Sequence, residues 1–261
     1  MDELRAATGA RRAALLHIAA TLITASLPKP AGAAPRLKAA LVNIPPWTFG
    51  FHSDVIEPFD GAHGIMLDLF EKLAELSGVG IDVIVVPYAR EVMMIERGTA
   101  ILTMALQTPL IDRIAVPLVN LGSEEIIVAS RRGSGISSAA NLLGKVVAQL
   151  RASDYLSEAI DHPQIRKYET VDYAQGVRML LQGRVDAVIG LRTSLRYAIR
   201  QNPRADAVLE TIFPLQRRRF GIFMSRQYHD ADTTARLRAA SLKLLQQRWY
   251  DKLRDRYSPQ S

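Results

Sequence analysis

The chain has 261 residues, 48% hydrophobic and 23% charged, with a formal net charge of +7 at pH 7, which is ordinary globular composition and excludes the low-hydrophobicity, high-charge profile of a disordered chain. It contains no cysteine, so disulfides, thiolate metal sites, thiol nucleophiles and a lipid-modified cysteine are excluded together. The basic residues are scattered rather than gathered into an aromatic-interleaved stripe, and nucleic acid is not an expected partner.

Arg11 and Arg12 precede an apolar run over residues 13–27, which is followed by Pro28, Pro30 and the small residues Ala31, Gly32 and Ala33. That is the order of a secretory signal. The run is shorter than the ~20 residues needed to span hydrocarbon, and it carries His17, Thr21, Thr24 and Ser26. Residues 1–33 are therefore expected to be a signal peptide cleaved near Ala33 or Ala34, leaving a basic mature protein in the periplasm.

A short apolar run over 37–43 ends at Ile44, Pro45 and Pro46 and predicts a buried strand stopped by residues that cannot donate to a ladder. From Ile65 the apolar positions Met66, Leu69, Phe70, Leu73 and Leu76 recur at helical spacing until Gly78 and Gly80. Residues 81–86 form a β-branched run closed by Pro87, a second buried strand. A short helix over 90–96, a strand over 100–106 and a strand over 125–130 follow. The pattern then restarts, with a strand over 145–150, a helix from about Ser153, a helix over 172–182 and a strand over 185–190. Glu96-Arg97-Gly98 and Leu181-Gln182-Gly183 each join a helix to a strand, and this alternation predicts parallel sheets flanked by helices. One last helix is expected over 232–255, with Leu242, Leu245, Trp249 and Leu253 on its apolar face.

Enzyme signatures are missing. There is no His-Glu-x-x-His pair, nucleophile elbow or dinucleotide glycine fingerprint, and Gly144-Lys145 lacks the rest of a phosphate loop. His52, Asp54, Glu57, Asp60 and His63 could ligate a divalent cation, but Pro58, Gly61 and Gly64 favour a solvated loop, and neither metal nor cofactor is expected. Better candidates lie where strands end and helices begin, because the carboxyl ends of strands and free helix N–H groups receive ligands in doubly wound sheets. These are Trp47, Tyr88, Arg90, Thr108, Arg151, Ser153, Asp154, Tyr155 and Arg192. Trp47 reads equally as an aromatic platform or as core. Arg151 precedes Ser153-Asp154 and is the expected anchor for an anionic group.

Taken in order, Ile44-Pro45-Pro46-Trp47-Thr48-Phe49, Asp60-Gly61, Gly64-Ile65-Met66-Leu67-Asp68-Leu69, Val85-Val86-Pro87-Tyr88-Ala89-Arg90, Thr108-Pro109, Leu143-Gly144-Lys145-Val146-Val147-Ala148 and Gly183-Arg184-Val185-Asp186-Ala187-Val188-Ile189 resemble the extracellular solute-binding proteins of family 3, the type 2 periplasmic binding proteins of amino-acid-type ABC transporters. The resemblance runs from about Leu37 to Tyr257. It implies an α/β fold of two lobes, each a mostly parallel sheet flanked by helices, joined by two crossing strands near 126–130 and 213–221. The implied division is 34–127 for the first part of lobe 1, 128–215 for lobe 2 and 216–261 for the return to lobe 1. It further implies a monomeric receptor that holds a small molecule in the cleft and passes it to a membrane permease.

The chain departs from that family's amino-acid site. Where the family places an arginine after Thr-Pro this chain has Ile111, with Arg113 two residues later, and where it places an aspartate after the second lobe's strand this chain has Leu191. Loss of the partner for a desolvated ammonium costs roughly 2 to 5 kcal/mol, so an organic anion without an amino group is expected, near Arg90, Arg113, Arg151 and Arg192. Two alternatives share the fold: a cyclohexadienyl-dehydratase-like enzyme with Asp154 as its acid, and a ligand-sensing periplasmic protein.

Overall fold

In the computed structural model of the chain, residues 36–49, 62–151, 153, 160–205 and 209–258 are described here, without the side chains of 210–212. All of them belong to the unit Pro35–Ser261. The signal-peptide reading of residues 1–33 therefore lies outside the described residues, as do His52, Asp54, Glu57 and Asp60 of the candidate metal loop.

The first half opens with β1 (Leu37–Val42), α1 (Ile65–Ser77), β2 (Ile81–Val86), α2 (Tyr88–Arg97) and β3 (Leu102–Leu106). Then come α3 (Pro109–Ile114) and the long β4 (Ala115–Arg131). A 3-10 turn at Ala139–Leu142 leads into β5 (Val146–Leu150), β6 (Arg166–Thr170), α4 (Tyr173–Leu181), β7 (Ala187–Leu191) and α5 (Arg192–Arg200). The second long strand is β8 (Leu209–Ser225), and α6 (Ala231–Gln246) and α7 (Trp249–Tyr257) close the fold.

The strands form one sheet in the order β2-β1-β3-β8-β4-β7-β5-β6. Its two ends are parallel, β1 pairing with β2 and β3, and β5 with β6 and β7. They are joined through antiparallel β8 and β4, which run side by side from Ala115 opposite Ser225 to Arg131 opposite Leu209. Both segments expected to cross between lobes fall within these long strands. The helix-to-strand glycines of each half, Gly98 (φ 69°) and Gly183 (φ 72°), adopt the left-handed conformation that residues with a Cβ disfavour.

Three features depart from the sequence expectation. The strand expected over 125–130 begins at Ala115, ten residues earlier than alternation alone could show, because its first part pairs with β8. Strand β6 carries the sequence Arg166-Lys167-Tyr168-Glu169-Thr170, mostly exposed, and so lacks the apolar signal of a strand. The single helix expected over 232–255 is two helices, broken at Arg248, whose φ of 54° cannot continue a right-handed helix. The apolar face also differs from the expected one: α6 buries Leu237, Ala240 and Leu244, whereas Leu242 and Leu245 are 48% and 43% exposed. Tyr250 and Leu253 are buried on α7.

Candidate functional site

A cavity opens at the carboxyl ends of the parallel strands, the position at which open α/β sheets receive ligands. Strand β1 leads into it with Val42, Ile44 and Trp47, β3 with Met104, Ala105 and Leu106, β5 with Leu150, and β7 with Leu191. The first turns of three helices add Met66 from α1, Tyr88 and Glu91 from α2, and Tyr173 from α4. The two long strands supply Glu124 and Phe220, while Thr108 and Ser153 complete the wall.

Trp47 serves both as core and as wall. It is only 3% exposed, its ring stacks on Tyr250 at 5.9 Å and meets Phe220 edge-on at 5.5 Å, and Phe220 in turn meets Tyr250 at 4.6 Å. Its indole N–H is buried without a hydrogen-bond partner among the described residues. Ile44 N donates to the Thr48 hydroxyl, which donates to Val42 O, so the turn that presents Trp47 is pinned from beneath. Tyr173 lies flat on β7: a Cβ at Gly190 would sit 2.2 Å from its ring, a distance no packed side chain tolerates. Glycine there is what lets the ring approach the strand.

Sequence reasoning missed the two carboxyl groups in the wall. Glu91 is fully buried, its Oε1 accepts the Thr103 hydroxyl, and burial pushes its carboxyl up to about 8, a shift the Thr103 bond only partly offsets. Glu124 accepts from the Thr193 backbone N–H at 2.8 Å and its hydroxyl at 3.0 Å, so a residue of β4 satisfies donors in the first turn of α5. Burial raises the Glu124 carboxyl too, against the Thr193 bonds and the nearby Arg192 charge. Its neighbour Glu125 lies on the other face of the strand, where Arg217 and then Arg192 hold its carboxyl low. The Tyr250 hydroxyl is pushed up by burial and by the Glu124 charge.

Of the residues singled out in the sequence, Trp47, Tyr88, Thr108 and Ser153 share this wall. Thr108 also caps α3, accepting from Ile111 N at 3.2 Å. The arginines sit elsewhere. Arg90 is exposed on α2; Arg113 is 69% exposed and 3.9 Å from Glu96; Arg151 is 68% exposed and 3.6 Å from Glu169; Arg192 donates to Glu125 at 2.5 Å. Asp154 and Tyr155 lie outside the described residues. The two family registers are apolar in space as well as in sequence, since Ile111 is buried core and Leu191 is wall.

Glu91 has a signal readable in the sequence: it lies one turn before buried Ile95, a carboxylate on the apolar stripe of α2. Tyr173 and Phe220 gave no such signal, because their sequence positions match ordinary core.

No family model and no curated protein matches the chain. Solved structures do. ArgBP from T. maritima, in a mutant form, is 17% identical with a TM-score of 0.70, covering 86% of this chain and 96% of that one. A substrate binding protein of an amino acid ABC transporter is 16% identical with a TM-score of 0.69, covering 87% and 100%. A histidine kinase sensor domain with similarity to periplasmic binding proteins is 18% identical with a TM-score of 0.69, covering 85% and 96%. The chain thus carries the two-lobed fold of periplasmic binding proteins.

Proposed function

We propose that this chain is an exported solute receptor, a divergent relative of the family 3 solute-binding proteins, which closes on a small molecule and delivers it to an ABC-type permease. The observation that carries the reading is the cavity itself: it lies at the carboxyl ends of parallel strands drawn from both ends of the sheet, with residues of both long connecting strands in its wall. The lobe limits 34–127, 128–215 and 216–261 belong to the same proposal, supported by long strands β4 and β8, which span both segments expected to cross. Capture is favoured over dehydratase chemistry because elimination of carbon dioxide from a carboxylate substrate calls for a cation to hold it, and the described wall has none. A periplasmic sensor is the second reading, supported by the fold likeness to a sensor domain.

The anionic cargo expected from sequence loses its main support at this point, because the arginines that suggested it do not line the cavity. Native mass spectrometry of freshly purified protein tests the receptor reading. A bound small molecule is expected, and it should be absent from Leu106→Trp, which fills the cavity from β3; retention of the ligand by a folded Leu106→Trp would overturn the cleft as the site.

Export is part of the same proposal. Mature protein recovered from the periplasm should begin at Ala34 or Pro35 by N-terminal sequencing, and an intact Met1 would contradict cleavage.

A further inference from the structure

Thirty-three lysines and arginines make this chain basic, yet the described wall of its cavity contains no lysine, arginine or histidine. The segments that continue from Trp47 and Ser153, residues 50–61 and 152–159, contain no lysine or arginine either. What the wall does contain is two carboxyl groups, Glu91 and Glu124, together with four aromatic rings, Trp47, Tyr88, Tyr173 and Phe220. We propose that the cleft is built for an organic ammonium ion with an apolar body and no carboxylate, its charge answered by Glu91 and Glu124 and its body by the aromatic wall.

This inference rests on the cavity being the ligand cleft. Aromatic faces attract cations through the ring quadrupole, most strongly where water is excluded, and carboxylates supply the matching charge. Glu91 is the more telling of the two acids. Among the described residues no cation faces it and Thr103 is its one hydrogen-bond donor; without a charge partner a buried acid holds its proton, and an arriving ammonium favours its ionised form. Glu124 adds a second acceptor in the same wall, although Thr193 and Arg192 already engage it. A carboxylate ligand meets the reverse situation, since its charge would be desolvated against an apolar wall that also holds two acids, and no described side chain of the wall compensates it. Leu191 contributes to the same selection: it leaves the β7 side of the wall apolar, a surface suited to a hydrocarbon body.

Three compounds of similar size and shape separate the possibilities: 2-phenylethylamine, 2-phenylethanol and 3-phenylpropionate, titrated calorimetrically into the full mature protein at neutral pH. The amine is expected to bind at least tenfold more tightly than the alcohol, and the propionate least of all. Glu91→Gln and Glu124→Gln keep shape and remove the capacity to ionise when the ammonium arrives, and their combination should weaken the amine roughly ten- to a hundredfold while leaving the alcohol within about threefold. Circular dichroism melting curves show whether the variants fold. Propionate or alcohol binding as tightly as the amine, amine binding that ignores both substitutions, or no binding of any probe would overturn the ammonium assignment. Binding that survives Leu106→Trp would instead strike the cleft reading beneath it, so the two failures are told apart.

Discussion

Trp47→Ala is expected to destabilise the fold by about 3–5 kcal/mol, the range for truncating a buried tryptophan, and to abolish ligand capture in whatever protein remains folded. The residue is nearly inaccessible and holds Tyr250 of α7 and Phe220 of β8 in one aromatic cluster, so its removal opens a void between the first strand's loop, a long connecting strand and the last helix. A void of that kind is costly because its lining loses contacts that relaxation only partly restores. Natural domains are stable by about 5–15 kcal/mol, and the loss would consume a large part of that. Trp47→Phe keeps a ring at the same place and should cost less than half as much. Urea unfolding of the three proteins measures the difference, and the chain's other tryptophan is Trp249, so a Trp249→Phe background lets Trp47 emission report the site directly. A Trp47→Ala protein as stable as the parent would mean that the cluster does not hold the loop.

Much of the fold was legible because most of its parallel strands carry continuous apolar runs and its helices carry a regular apolar stripe. The strands over 37–43 and 81–86, the helix from Ile65 and the glycines that end helices before strands all have local causes. What was illegible has nonlocal causes. Strand β6 is recognised by pairing with β5, not by its own exposed residues, and the first part of β4 owes its form to the end of β8, with Ala115 paired to the distant Ser225. The break at Arg248 comes from a backbone conformation that an arginine does not advertise.

The site shows the same division. Strand ends pointed to Trp47, Tyr88, Thr108 and Ser153, because topology alone brings such positions to one rim. The arginines were selected on charge, and charge says nothing of direction: Arg151 follows a buried strand as expected, but its side chain turns outward to Glu169 on β6. Conversely Glu91 and Glu124 were passed over because acidic residues usually mark solvated faces. Only the packing of α2 on β3, which places Thr103 against Glu91, and of α5 on β4, which places Thr193 against Glu124, turns them inward.

The buried Glu91 also makes stability depend on pH in a direction opposite to that of an ion-paired acid. Its carboxyl is raised from 4.5 to about 8 by burial, so between those values the folded protein keeps a proton there that the unfolded chain has released. Stability changes with pH as the protons bound by the unfolded chain minus those bound by the folded one, which is negative in this window. The contribution of Glu91 is therefore fully present below pH 4.5 and is lost as pH rises to about 8, at a slope of up to about 1.4 kcal/mol per pH unit. Glu124, also raised by burial, acts in the same sense, whereas Glu125, held low by Arg217, is protected at higher pH and loses its contribution on acidification. The Glu91 share is isolated by difference. Glu91→Gln cannot ionise, so it should match the parent near pH 5 and exceed it by a few kcal/mol near pH 8.5 in urea unfolding. Parallel pH profiles for the two proteins would show that Glu91 keeps an ordinary carboxyl, with water reaching it in the folded state.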